Sequence, residues 1–421
     1  MNAGLAQELA RRHGTPLYAY DLGEVTERAA ELFSSLPEGA AVCYSFKANP
    51  LPAIARRVRE CGARAEVTST GELGAAIAAG FTGEEILFGG PGKTEAELEE
   101  ALNAGVRLFS AESLRDLASL SAACLRHACE AAVLLRVNPE DAPDARLAMS
   151  GVESQFGFAE ALLLAPEARG QVRLPGLNLA GLHVYFGTQV AGVEALVTNT
   201  RRALECAQRV EGALGFQSRI LNAGGGFPWP YANDLAPAPL DGLREKLGEV
   251  WQASPFARRG AELWFESGRR LCASSGWLIA RVLDIKAFPG RTFVILDTGI
   301  HHLGGMAGLG RVPRGALTVV NLGSEAAAEP AMTVDLVGPL CTPLDALGRG
   351  VRVPRLRPGD LVGIPNVGAY GLTASLLGFL SHAPPVEVTH ENGREAEAWR
   401  MNHGHALLTA KSSPLLPPSA E

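Results

Sequence analysis

The sequence predicts an α/β protein in which a (β/α)8 barrel over residues 22–270 is followed by a smaller all-β domain. Three observations predict it. Eight short β-branched or apolar runs alternate with stretches whose apolar residues recur three or four apart. Glycine, polar and charged residues gather just after those runs, and beyond Arg269 the period changes from helical to alternating.

The expected barrel strands, in order, are Val42–Phe46, Ala65–Val67, Ile86–Phe88, Arg107–Phe109, Val133–Val137, Gly181–Phe186, Arg219–Leu221 and Leu263–Phe265. Helical segments such as Leu51–Cys61, Gly71–Ala79, Glu95–Ala104 and Val193–Ala213 separate them. In a closed parallel barrel the residues that follow each strand converge on one mouth, where chemistry is built. Here they are Lys47, Ser69, Pro91, Ser110, Asn138, Gly187 with Thr188, Gly224–Gly226, and Glu266. After the barrel, Trp277–Lys286, Thr292–Asp297, Thr333–Val337 and Asp360–Ile364 read as strands between Gly/Pro/Asp turns. The alternating Pro16–Tyr20 is expected to join them, so the β-domain is assigned to 1–21 and 271–411. Residues Pro139–Ser154 read as a loop over the mouth, and 412–421 as a disordered tail.

Composition narrows the function. With 38 basic and 45 acidic residues the net charge is −7, which gives no positive field for nucleic acid or anionic lipid. No apolar run approaches the roughly 18 residues of a membrane span, and charged residues interrupt the N-terminus before a signal sequence forms, so a cytoplasmic protein is expected. Seven scattered cysteines without a CxxC pair fit neither a disulfide framework nor a zinc site. His301–His302 and His403/His405 lack supporting ligands in sequence, and no metal is expected.

Three constellations carry chemistry. Lys47, in YSFKANP, ends an apolar strand: it is either a snorkelling rim lysine or an amine made nucleophilic by partial desolvation and able to condense with an aldehyde cofactor. NAGGGF at Asn222–Phe227 is either a plain turn or a run of bare backbone amides that cradles a phosphate after the seventh strand, where barrels frequently bind one. Glu266, in ESGRR, either pairs with Arg269 at the rim or faces a protonated pyridine nitrogen while Arg269 meets a phosphate. Amine, phosphate loop and acid on separate strand ends support one another.

These residues resemble a known family. YSFKANP, EVTSTGEL at Glu66–Leu73, GLHVYFGTQ at Gly181–Gln189, NAGGGF, ESGR, GPLCTPLD at Gly338–Asp345 and VGAY at Val367–Tyr370 occur in the order found in fold-type III pyridoxal-phosphate decarboxylases, which include diaminopimelate, ornithine and arginine decarboxylases. The resemblance spans about residues 15–390 and implies an alanine-racemase-like barrel. By that resemblance Lys47 looks like the internal-aldimine lysine. Gly224–Gly226, Gly268, Arg269, Thr188 and Tyr370 look like the phosphate site, and Glu266 like the partner of the pyridine nitrogen. Cys341 is similar to the cysteine that a neighbouring subunit donates to protonate the carbanion, which implies a homodimer with shared active sites.

The departures concern the ring and the substrate. Tyr185 stands where the family carries a ring-stacking histidine; His183, two residues earlier on the same strand face, is a candidate to compensate. Ser267 replaces the usual proline of the ESGR-like motif. After Cys341 the diamino-acid enzymes carry an acid for the distal ammonium, whereas this chain has Thr342, with Asp345 the remaining candidate substrate contact. The resemblance thus implies a pyridoxal-phosphate-dependent decarboxylase of an amino acid, free or tethered to a carrier protein. A racemase of the same barrel is the second reading, and a catalytically inactive regulatory protein the third.

Overall fold

The structure, a computed structural model, describes residues 1–140, 147–148, 154–304, 317–323 and 330–402. An N-terminal strand, β1 (Leu17–Asp21), precedes the barrel strands β2 (Ala41–Ser45), β3 (Arg64–Val67), β4 (Ile86–Phe88), β5 (Leu108–Ala111), β6 (Ala131–Asn138), β7 (Leu177–Val184), β8 (Ile220–Asn222) and β9 (Glu262–Ser267). All eight barrel strands pair in parallel with their sequence neighbours, and β9 closes on β2 with Phe265 opposite Val42. The eight expected strands are the eight observed. β7 starts earlier than its apolar run because Leu177–Leu179 pair with Ala131–Val133, and it ends at Val184, where the chain turns over the mouth.

Local chemistry sets the helices between them. Thr94 and Glu97 form a reciprocal capping box, Ser69 and Ser113 accept from the backbone N–H groups of Glu72 and Asp116, and the helix Val193–Leu214 ends on Gly215 in the left-handed region. Each satisfies helix-end groups that have no partner within the helix itself.

Inside the barrel, Cys43, Leu87, Leu108, Leu134, Ala180 and Trp264 form a separate apolar cluster. Side chains alternate along a strand, so the inner face is occupied again two residues on. From four of those residues this step reaches Ser45, Ser110, Arg136 and Glu266, all buried. An apolar floor below a polar layer follows from the strand sequences alone.

The second sheet contains β10 (Gly276–Phe288), β11 (Arg291–Leu296), β12 (Met332–Val337), β13 (Ala346–Val353), β14 (Leu361–Ile364), β15 (Val386–Glu391) and β16 (Arg394–Arg400). Its main path runs β13-β12-β11-β10-β1-β15-β16, with β14 also paired to β10. β1 therefore joins this sheet, antiparallel to β10 and parallel to β15. Three strands, β13, β15 and β16, and the helix Ala3–His13 were not expected from sequence. β16 carries no apolar run, since REAEAWR is an edge strand with charged outer positions. The helix buries Leu5, Ala6, Leu9 and Ala10 against Leu17, Ile279, Leu361 and Val388. No described helix is long and apolar enough to cross a membrane. The end of the Pro139–Ser154 segment is described, but its middle, His403, His405 and the tail lie outside the described residues.

Candidate active site

Lys47 sits on a single 3-10 turn, Phe46–Ala48, that β2 delivers to the mouth. It lines a pocket of about 340 Å³ with Ser45, Tyr185, Thr188, Gly225, Gly226, Phe227, Glu266, Ser267, Gly268, Arg269 and Tyr370. The Lys47 Nζ stands 3.6 Å from Glu66 Oε2. Burial works to lower the lysine pKa, but Glu66, then Tyr370, Glu266 and Tyr185, outweigh it and hold the ammonium above its ordinary range.

The glycine loop continues the sheet before it turns. The Ala223 N–H donates to Trp264 O at 2.9 Å, and the Glu266 N–H to Gly224 O at 2.7 Å. Gly224, at φ +68°, lies under the Tyr185 ring: a Cβ there would meet Cδ2 at 2.3 Å. The bare loop therefore serves both the pocket wall and the seat of Tyr185. Burial pushes the Tyr185 phenol up to about 12, against an opposing effect of Lys47, so the ring faces the pocket neutral.

Glu266 is not paired with Arg269. Its Oε1 accepts from Asn222 Nδ2 at 2.8 Å and stands 3.3 Å from His183 Nε2, while the Arg269 guanidinium lies 4.6 Å over the Tyr370 ring. Tyr370 arrives from the loop between β14 and β15, at φ +56°, and its N–H donates to Ala48 O at 2.7 Å. The β-domain thus completes a mouth that the barrel strands alone leave open.

The structure places several of the sequence-predicted residues outside this pocket. His183 does not line the pocket: it is buried, with Nδ1 3.0 Å from Ser110 Oγ, and burial followed by Arg136 lowers its pKa to about 3. The ring in the pocket lining there is that of Tyr185. Asp345 likewise lies outside the Lys47 pocket. Its carboxylate is 3% exposed and accepts the backbone N–H groups of Ile300 and Leu340, both at 2.9 Å or less. Cys341 and Thr342 lie on the turn between β12 and β13, outside the Lys47 pocket, with Cys341 exposed. His301 and His302 are buried core side chains whose rings lie 3.7 Å apart, tilted by 39°.

Sequence reasoning passed over Glu66, Arg136 and Asn222 as individual residues. The signal was there: each is a polar residue within an otherwise apolar strand, at a position that points inward. Arg136 pairs with Glu112 at 2.9 Å, and Glu112 also accepts from the Gly157 N–H.

The donor set suits a phosphorylated aldehyde with a basic ring nitrogen. An amine stands beside glycine backbone and a guanidinium, a carboxylate faces the same space, and the buried Ser267 Oγ in the wall has no hydrogen-bond partner. Pyridoxal phosphate has those three features, and the residues present fit it.

Comparison with known proteins agrees with that fit. The pyridoxal-binding domain of the pyridoxal-dependent decarboxylases matches residues 22–273. The chain is 33% identical over 390 residues to the L-glutamyl-[BtrI acyl-carrier protein] decarboxylase of Niallia circulans, covering 91% of both proteins. It is 30% identical over 370 residues to the diaminopimelate decarboxylase of Archaeoglobus fulgidus, covering 87% of this chain and 86% of that one. Among solved structures, AQ1208 from Aquifex aeolicus superposes with a TM-score of 0.80 at 26% identity, over 94% of this chain and 91% of the other. The M. jannaschii diaminopimelate decarboxylase superposes with a TM-score of 0.83 at 24% identity, over 98% and 94%, a likeness of fold.

Proposed function

The chain belongs to the pyridoxal-dependent decarboxylases, and from that premise we propose which residues serve the reaction and which substrate it takes. It is a pyridoxal-phosphate enzyme that removes the carboxylate of an amino acid. The bound cofactor supplies an electron sink for the pair released when the bond between Cα and the carboxylate breaks.

In this reading Lys47 Nζ would hold the cofactor through its aldehyde, and Glu66, 3.6 Å from Nζ, would pair with the lysine ammonium whenever it is free. Gly224–Gly226, Thr188, Gly268 and Arg269 bind the phosphate, with Tyr370 under the guanidinium. Glu266 faces the pyridine nitrogen, and Tyr185 lies against the ring. CO2 leaves, and a proton enters at Cα. Cys341 donates that proton from the second subunit of a homodimer, an assignment supported by its exposure on a turn outside its own chain's pocket. The enzyme works in the cytoplasm, in keeping with seven cysteines that are all free thiols.

The substrate is an aminoacyl group tethered to a carrier protein, with a distal end that is neutral or anionic. One observation carries this: the GPLCTPLD turn has no carboxylate free for an ammonium. Thr342 stands after Cys341, and Asp345 is occupied by Ile300 and Leu340. An ammonium left unpaired in a desolvated pocket costs several kcal/mol. The relative from Niallia circulans, whose printed substrate is a carrier-bound glutamyl group, supports the same reading.

Two measurements test it. Borohydride reduction of the loaded protein followed by peptide mapping places the label on Lys47; a label on another lysine overturns the site. CO2 release is then compared between carrier-bound glutamyl and free lysine, ornithine and diaminopimelate. Efficient turnover of any of the three free diamino acids overturns the substrate assignment.

A further inference from the structure

Beneath the pocket floor, Glu266 joins three buried polar groups that the proposed reaction leaves unused. Ser110 lies on β5, His183 on β7, Asn222 at the end of β8 and Glu266 on β9, and all four are buried. Ser110 Oγ is 3.0 Å from His183 Nδ1, and Asn222 Nδ2 donates to Glu266 Oε1 at 2.8 Å. His183 Nε2 makes no aligned hydrogen bond, yet it stands 3.3 Å from that same Oε1. Both neighbours therefore converge on one carboxylate oxygen, and Glu266 still lines the pocket.

We propose that His183, held by Ser110, is a positioning residue that aims Glu266 at the pyridine nitrogen through the close approach of its neutral imidazole to Oε1. The inference rests on the reading of Glu266 given above. Where the Ser110 hydroxyl donates to Nδ1, the ring proton resides on Nε2, the nitrogen that stands 3.3 Å from the carboxylate oxygen. The opposite tautomer would set a lone pair against Oε1. Neutrality is essential to the role. An imidazolium below Glu266 would form an ion pair with it and consume the charge that a protonated pyridine needs. The surroundings exclude that state: burial first, then the Arg136 cation, push the imidazole pKa down to about 3. Arg136 is itself held by Glu112 at 2.9 Å. Across the whole working pH range His183 thus orients without competing for charge, by the same logic that ties outer carboxylates to metal-bound histidines.

The variants are His183→Phe, which removes the imidazole N–H, His183→Gln, which restores an N–H, and Ser110→Ala, which frees the tautomer. Each is loaded with pyridoxal phosphate labelled with 15N at the ring nitrogen, and cofactor stoichiometry, the 15N resonance and steady-state rates are measured. The expected result for His183→Phe is a full complement of cofactor, a resonance moved toward unprotonated pyridine, and kcat lowered about 10-fold to 100-fold with KM little changed. His183→Gln should return most of both signals. If His183→Phe does not fold, Ser110→Ala carries the test and should move the resonance in the same direction by less. A folded, loaded His183→Phe or Ser110→Ala with the wild-type resonance overturns the proposal. Wild-type protein that binds no cofactor overturns instead the functional reading on which it rests.

Discussion

Replacing Gly225 with alanine separates a phosphate cradle from a plain turn. An added Cβ would stand 2.0 Å from the backbone oxygen of Glu266, and no side chain intervenes that could swing away. Nonbonded atoms in folded proteins keep about 3 Å or more apart, so the loop and the end of β9 must part by about 1 Å. That movement breaks the 2.7 Å bond from the Glu266 N–H to Gly224 O. A lost hydrogen bond costs about 0.5–1.5 kcal/mol and an overpacked contact about 1–3 kcal/mol, so the native loop is destabilised by about 2–4 kcal/mol. Realised in cofactor binding, this weakens affinity about 30-fold to 700-fold, at 1.4 kcal/mol per factor of ten. The assay is titration of the apoprotein with pyridoxal phosphate followed by its visible absorption, with chemical denaturation in parallel. Gly212→Ala is the control: it lies in the last turn of the helix Val193–Leu214 with nothing within 4 Å of its Cβ, and should add up to about 0.5–1 kcal/mol of stability without changing affinity. A Gly225→Ala protein that binds the cofactor within about threefold of wild type would refute the reasoning, whatever its stability.

Other outcomes follow from the same geometry. Mixing inactive Lys47→Ala with inactive Cys341→Ala should restore up to about a quarter of wild-type activity, because random exchange makes half the dimers mixed and leaves each with one intact site; no recovery with subunit exchange demonstrated would mean self-contained sites. Asp345→Ala should destabilise the fold by about 1–3 kcal/mol for each stranded N–H group, those of Ile300 and Leu340, while leaving KM little changed; a large KM effect in a stable variant would return Asp345 to the substrate. Glu387 is 5% exposed and accepts from the Tyr20 hydroxyl, and burial raises its pKa to about 7. The folded state thus binds a proton more tightly than the unfolded one, so the contribution is full below the ordinary carboxylate pKa and is lost as pH rises through about 7. Glu387→Gln should accordingly gain on wild type by up to about 3 kcal/mol between pH 4 and pH 8, read from denaturant midpoints; a constant difference across that range would refute the assignment.

The barrel was legible because each of its strands is a short apolar run bounded by turn residues, and because parallel βα units leave the chain few other ways to close. Lys47, the glycines of Asn222–Phe227 and Glu266 were legible for a related reason: they follow those runs directly, and a strand's end fixes where the next residues emerge. The first helix was legible in retrospect from Leu5 and Leu9, whose spacing matches one helical face. β16 was not, since its neighbours rather than its own composition make REAEAWR a strand. What sequence could not determine was which polar groups meet. His183 and Tyr185 share a strand face, so position alone did not decide which would enter the pocket; the turn after Val184 carries Tyr185 over Gly224, and Ser110 and Glu266 hold His183 below. Asp345 is five residues from Leu340 in the turn but also bonds Ile300 from a distant segment. Tyr370 reaches Ala48 from another sheet. Local sequence sets period, caps and turns within a few residues, whereas the partner of a buried charge is chosen by whichever distant group lies within about 3 Å after the chain has closed, and only the tertiary structure determines that distance.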